Sequence, residues 1–338
     1  MTTPAPKYSK SYLLKEMYYG FRPNKPSFTP EQYPDLTNKS AIVTGMNIGI
    51  GFEVSKLLYG KNCNIIGVVR NGEKARAARE KILAEFSESK GSITIIDGCD
   101  LSDFTTIKSA ANKIKEAVGN NPLNLIIHNA GLMAPVNTGT SKQGLELMFA
   151  TNVMGPQLLQ HFIDPLFLKK DDDLKRIVWV SSCAHFLGFP EYGINWENPT
   201  FAGVDVKERP SANTLYGQSK AANIYQAKAW ATKNDELVTG IGCVSVSCYP
   251  GNIITGLTRD HSSLAKYLAN HLLWDGYYGA YSELYAALSP DLTIKNQGAY
   301  IVPFGEVHDP REDVKAGLAN GTDLKLWEWV ENEIKPYF

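Results

Sequence analysis

The chain has 338 residues and carries 34 Lys and Arg against 35 Asp and Glu, a formal net charge of −1. That balance excludes a polyanion such as nucleic acid as the main ligand, and the length suits one substantial core, with no shift in composition to mark a second domain. The five cysteines, Cys63, Cys99, Cys183, Cys243 and Cys248, are odd in number and lack C-x-x-C spacing, so reduced, mostly buried thiols and no metal site are expected.

No basic, apolar leader opens the sequence. The least charged stretches, such as Leu123 to Ser141, are interrupted by Asn, His, Gly and Pro. A cytoplasmic location without a transmembrane segment is expected. Asn38-Lys-Ser and Asn320-Gly-Thr match the glycosylation pattern, which without a secretory signal reads as accidental. Residues 1–37 combine prolines with aromatics, among them Tyr8, Tyr12, Tyr18, Tyr19, Phe28 and Tyr33, and read as an N-terminal arm outside the main fold. Lys7, Lys10 and Lys15 flank its apolar residues, which leaves peripheral contact with a lipid surface open. The simpler reading packs the arm on its own domain or on a sister subunit, so a homo-oligomer stays open too. Residues 38–338 read as one domain.

From residue 40 onward, short β-branched runs alternate with helical patterns. Strands are expected at 41–43, 64–69, 92–96, 123–127, 176–180, 242–247 and 299–302, and helices near 51–60, 72–87, 103–118, 143–169, 213–234 and 278–288. This order implies an α/β fold, a doubly wound parallel sheet (Rossmann-like) with helices on both faces. Ligands of such sheets bind beyond the carboxyl ends of the strands, so functional residues are sought there.

Between the first strand and its helix lies Thr44-Gly-Met-Asn-Ile-Gly-Ile-Gly51. Glycine lets the chain turn tightly and a ligand approach the backbone, and the N–H groups at the helix start attract phosphate. Gly45, Asn47, Ile48, Gly49, Ile50 and Gly51 are therefore candidates for cradling a dinucleotide diphosphate. After the second strand no acidic residue stands ready for the ribose hydroxyls of NAD. Arg70, followed by Asn71, instead offers a permanently charged fork for the 2′-phosphate of NADP, so NADP is favoured over NAD. After the fifth strand Ser182 supplies a hydroxyl able to donate to a carbonyl oxygen. Tyr216 and Lys220 are four apart on one helix face, and an ammonium beside a phenol is expected to draw its pKa down from about 10.

Taken in order, these motifs resemble the compact, single-domain branch of the short-chain dehydrogenase/reductase family, over about residues 38 to 305. The Asn47-x-Gly-Ile-Gly turn, Val180-Ser-Ser-x-Ala-His185 and the Arg70-Asn71 pair look most like its retinol-dehydrogenase-like group and that group's fungal relatives. Met46 and Ile48 stand where the group usually has Ala and Thr. The resemblance implies that Asp100-Leu101 lies along the adenine ring and that Asn129-Ala130-Gly131 lines the cofactor. His128, replacing an asparagine, reads as a structural strand-end residue. It further implies that Asn152 holds a proton-relay water, Ser182 orients the carbonyl oxygen, Tyr216 is the general acid–base and Lys220 tunes Tyr216 and holds the nicotinamide ribose. Pro250, Gly251, Ile253 and Thr255 would meet the nicotinamide end.

The resulting expectation is an NADP(H)-dependent carbonyl reductase or alcohol dehydrogenase. The alternatives are a non-catalytic dinucleotide-binding regulatory or scaffold protein and, disfavoured by glycine spacing, a sugar-nucleotide epimerase. A substrate lid is expected at about 252–290. Leu264, Tyr267, Leu268, Leu272, Leu273, Trp274, Tyr277, Tyr278 and Tyr281, together with Phe186, Phe189, Tyr192 and Trp196, would roof an apolar pocket for a bulky aldehyde or ketone. Ordinary helix packing is the simpler reading of the Tyr281, Leu284, Tyr285, Leu288 spacing.

Overall fold

A short strand with almost no polar face belongs in the middle of a sheet covered on both sides. The computed structural model, which describes residues 4–253 and 273–338, puts β1 (Ser40–Thr44), buried at every position, in that place. β2 (Asn64–Val68), β3 (Ile93–Ile96), β4 (Leu125–His128), β5 (Arg176–Val180), β6 (Val244–Cys248), β7 (Tyr300–Val302) and β8 (Glu306–His308) complete an eight-stranded sheet in the order 3-2-1-4-5-6-7-8. Ala41 of β1 lies opposite Ile65 on one side and Leu125 on the other, both parallel, and only β8 runs antiparallel. The strand order reverses between β1 and β4, so the carboxyl ends of these strands open a crevice.

The helices are α1 (Lys10–Phe21), α2 (Gly49–Gly60), α3 (Gly72–Glu85), α4 (Ile107–Val118), the single turn α5 (Leu147–Phe149), α6 (Gly155–Phe167), α7 (Ala212–Lys233), α8 (Asp235–Gly240), α9 (Gly276–Leu288), α10 (Glu312–Asn320) and α11 (Thr322–Ile334). One apolar cluster packs α4, α6, α7 and α11 on one face of the sheet; a second packs α2, α3 and α9 on the other. Between α5 and α6 the helix widens into a π turn, Ala150–Met154.

The expected strands and the six long helices are present within a few residues of their predicted limits. The sequence pattern missed α1, α8, β8, α10 and α11. The arm expected outside the main fold lies against it. Tyr12 Oη donates to the Asp309 carbonyl (2.6 Å), Glu16 pairs with His308 (2.8 Å), Asn24 donates to Glu306 (2.7 Å), and Phe28, Tyr33 and Leu36 enter the α2/α9 core. Of the expected lid, 254–272 lies outside the described residues, and with it Thr255, Leu264, Tyr267, Leu268 and Leu272. No described helix is long and apolar enough to cross a membrane, and no described cluster of His, Cys, Asp and Glu is arranged to hold a metal.

Candidate active site

The turn from β1 into α2 is fastened to the end of β4. Asn129 Nδ2 donates to the Thr44 carbonyl (2.7 Å) and the Ala130 N–H donates to Thr44 Oγ1 (2.9 Å). Gly45 has φ +74°, which L side chains rarely adopt, and a Cβ on Gly51 would run into Asn129 Nδ2 and the Gly45 carbonyl. Above Gly49 the space within 4 Å of a Cβ is open, and Ile48, the residue before the helix, gives it no side-chain cap. Its leading N–H groups therefore await an outside acceptor, as a diphosphate cradle requires. Asn47 and Ile50 complete this turn, and Met46 is buried with its thioether over Gly67.

At the end of β2, Arg70 is 74% exposed in its side chain and stands 3.7 Å from Asp100 Oδ2. Asn71 caps α3, accepting from the Lys74 N–H (2.9 Å). Asp100 Oδ1 takes the N–H and hydroxyl of Ser102, and Leu101 is buried against Gly155. The absence of acid at 68–70 is real, but a carboxylate from the neighbouring strand end reaches the arginine.

At the ends of β5 and β6 the remaining residues converge. Lys220 is 4% exposed and its Nζ donates to the Val180 carbonyl (2.8 Å), while Ser181 Oγ donates to the Lys220 carbonyl (2.7 Å). Ser182 Oγ accepts from the Ala184 N–H (3.1 Å), and the same hydroxyl acts on the Tyr216 phenol to lower its pKa. Asn152 lies within the π turn. Its Oδ1 accepts from the Leu132 N–H (2.9 Å) and its Nδ2 donates to the Leu132 carbonyl (2.9 Å) and to Ser219 Oγ (3.0 Å). A Cβ on Gly131 would stand 3.2 Å from Asn152 Oδ1 and 3.4 Å from Lys220 Nζ, which brings those three residues to one point. On the β6 side the Pro250 carbonyl accepts from Ser282 (3.2 Å), Gly251 takes φ +118°, and Ile253 bridges to Trp274.

The phenol departs from expectation. Burial raises the Tyr216 pKa above its ordinary value, Cys183 adds to the rise, and Ser182 pulls it back only in part. Lys220 Nζ sits 5.4 Å from the ring centroid and donates to the Val180 carbonyl. Burial instead brings Lys220 itself down to about 8, opposed by Glu283.

His128 is held neutral, burial pushing it down to about 4; it bonds Gln160 (2.8 Å) and stacks on Trp179. An apolar cluster of Leu132, Met133, Met148, Phe189, Phe201 and Leu215 surrounds Tyr216. Among the described residues of the expected roof, only Phe189 belongs to that cluster. Tyr277, Tyr278, Tyr281 and Trp274 pack with Phe304 and the α2/α9 core, and Trp196 carries Lys325 at 3.9 Å from its ring centroid. A groove of about 950 Å³ lies between the arm and Tyr192, Trp196 and Lys325, away from Ser182 and Tyr216.

Sequence reasoning missed three supports of this site. His185 Nδ1 pairs with the Ser182 carbonyl (2.8 Å) and its Nε2 accepts from the Arg311 N–H (3.1 Å), while buried Arg311 donates to the Phe186 and Gly188 carbonyls. Tyr249 donates to Asn252 (2.6 Å), next to Gly20 of α1. Glu283 is buried without a partner. The contacts of His185 with Arg311 and of Tyr249 with Gly20 join residues more than a hundred apart in the chain and leave no local signal. The third has one, a lone carboxylate within an apolar helix.

Residues 39–194 match the family model described as short chain dehydrogenase. A short-chain dehydrogenase/reductase of Phomopsis amygdali is 35% identical, the alignment covering 96% of this chain and 98% of the relative. Among solved structures, one from Mycobacterium paratuberculosis superposes with a TM-score of 0.67 at 24% identity, covering 91% of this chain and 97% of its own. An NADPH-bound carbonyl reductase from chicken fatty liver gives 0.60 at 22%, covering 82% and 97%. With its doubly wound sheet, its glycine turn and a relative this similar over nearly the whole length, the chain belongs to the short-chain dehydrogenase/reductase family of oxidoreductases.

Proposed function

We propose that the protein is an NADP(H)-dependent carbonyl reductase or alcohol dehydrogenase acting on a bulky, lipophilic aldehyde or ketone. The observation that carries this reading is the meeting of Ser182, Tyr216 and Lys220 at the end of β5, against an apolar wall. Gly45, Gly49, Gly51, Asn129 and Gly131 suit a dinucleotide laid across the strand ends, since the space above Gly49 is open and the lack of a side chain at Gly51 and Gly131 lets Asn129, Asn152 and Lys220 close in around the turn. The bound dinucleotide would supply or accept hydride. Tyr216, kept protonated by burial, gives its proton to the carbonyl oxygen, which the Ser182 hydroxyl steadies as charge develops. Lys220 holds the ribose. Asn152 keeps Leu132 and the helix widening in place, with both its polar atoms committed, so its support of a proton path would run through the backbone it positions. Arg70 would face the 2′-phosphate. The carbonyl reductase with the same fold holds NADPH, in keeping with this choice.

The test is oxidation of NADPH and of NADH followed over aliphatic and aromatic aldehydes, ketones, retinal and steroids. Turnover with NADPH on apolar carbonyls is expected. Tight NADPH binding with no turnover on any of them would favour a regulatory role, and a preference for sugars or charged acids would remove the substrate class.

A further inference from the structure

The arm is fastened to the domain by one side of α1, and the side turned to solvent is the apolar one. Positions 12, 16 and 20 follow one another at helical spacing: Tyr12 donates to the Asp309 carbonyl (2.6 Å), Glu16 pairs with His308 (2.8 Å), and Gly20 packs against Tyr249. Leu14, Met17 and Tyr18, spaced i, i+3 and i+4, lie on the other side and are 66%, 36% and 69% exposed. Leu187, 43% exposed, continues this surface across a groove of about 440 Å³ lined by Leu13, Leu14 and Phe186. A surface helix ordinarily turns its apolar stripe to the core and its polar face to water. In α1 the order is reversed, and large apolar side chains stand where a second apolar phase can take them up.

Charge surrounds this face. Within residues 1–25 the side chains of Lys7, Lys10, Lys15, Arg22 and Lys25 stand against the single acid Glu16, which its bond to His308 turns inward. Lys10 lies one turn before Leu14, Lys15 follows Leu14 directly, and Arg22 closes the helix after Tyr18. Among the described residues none of the five cations is paired with a carboxylate. Two acids at this end of the arm are already engaged: Glu312 accepts from the Ser9 N–H (2.9 Å) and Asp309 pairs with Lys315 (2.6 Å). A chain of formal net charge −1 therefore concentrates positive charge around its exposed apolar helix face.

We propose that α1 is a docking face for an anionic lipid surface, with Leu14, Met17 and Tyr18 entering the headgroup layer beside Leu187 while Lys10, Lys15 and Arg22 meet lipid phosphates. A lipid surface suits this patch better than a second copy of the chain. Four part-exposed side chains fall short of the roughly 800 Å² per partner that a stable protein interface buries. A two-fold dimer through α1 would also bring two positive arms together. Leu187 ends the turn that starts after Ser182, and Phe189, two residues on, belongs to the apolar cluster around Tyr216. The docked face thus adjoins the wall proposed to receive a lipophilic carbonyl. Docking itself needs neither cofactor nor turnover, so its failure and that of the proposed chemistry are read separately.

The test is cosedimentation of the full chain with vesicles of phosphatidylcholine alone and of phosphatidylcholine mixed with phosphatidylserine, in low and high salt. Binding to the mixed vesicles is expected, weakening as salt rises. The triple variant Leu14→Ser, Met17→Ser, Tyr18→Ser should lower the partition coefficient by about tenfold or more. Lys10→Gln and Lys15→Gln should each lower it about fivefold. All of these replace exposed side chains, so the melting temperature should stay that of wild type. No binding of wild type to the mixed vesicles would overturn the proposal, as would equal binding of the triple variant. A wild type that sediments as a dimer beside a monomeric triple variant would overturn it too, making the patch a contact between copies.

Discussion

At the end of the cleft proposed for the reaction, Lys220, Ser181 and His185 are each tied to main chain, at 2.7 to 2.8 Å. At the end proposed for the adenosine, Arg70 keeps 74% of its side chain exposed and meets Asp100 only at 3.7 Å. The contrast separates two kinds of electrostatics. Groups that meet developing charge must be oriented beforehand in a dry place, where each interaction is strong and costs no rearrangement. A group that only distinguishes two cofactors by one phosphate needs net charge, and on a solvated surface that charge is weak and screened by salt.

The comparison breaks first at Ser182. Ser182→Ala removes a hydroxyl proposed to face the carbonyl oxygen, and turnover should fall about 100- to 1,000-fold with little change in NADPH affinity. Steady-state rates beside fluorescence titration check this, and a loss confined to affinity would move Ser182 out of the chemistry. At the open end the expected effect is smaller. Arg70→Asp should shift the NADPH-to-NADH ratio of dissociation constants by about tenfold, less than the hundredfold an unopposed charge-assisted bond allows, because the arginine is exposed and already shares Asp100. The shift should shrink between 50 mM and 500 mM salt. A ratio that stays put in Arg70→Asp would make Arg70 an ordinary surface residue.

How much of this was legible beforehand follows the range of the interactions. The strand, turn and helix over 41–60 is written in an apolar run, its glycines and a helical repeat, and the Tyr216 to Lys220 spacing needs only one helix. Arg70 was found for the same local reason, but Asp100 was not paired with it, since the two meet only when β2 and β3 lie side by side. The expected lowering of the phenol pKa failed because burial is a property of the packed site, where Lys220 Nζ donates to the Val180 carbonyl. Trp196 and Tyr277 follow strand ends in sequence yet turn away from Tyr216, a direction that no periodicity carries. The edge strand β8, three residues with only one apolar side chain, gave no pattern to read.

The smallest effect is expected at the arm. Its Glu16 bonds His308 on β8, and that contact raises the His308 pKa above 6.5. For a histidine raised on folding, the stabilisation is complete below its unfolded value and is lost as pH climbs through the folded one. Amide exchange in residues 10–21 should therefore show less protection at pH 8.5 than at pH 6, after correction for intrinsic rates. His308→Gln should abolish that difference, and protection independent of pH in wild type would show that the arm is held by its apolar residues alone.

The central claim is that a buried, protonated Tyr216 delivers the proton. A single turnover of enzyme-bound NADPH with an aldehyde that wild type reduces tests it most directly, comparing wild type with Tyr216→Phe at pH 7. The ring still fills its place, so NADPH should bind as before while the rate of its oxidation falls about 100- to 10,000-fold. Oxidation at a near wild-type rate in Tyr216→Phe would contradict the account.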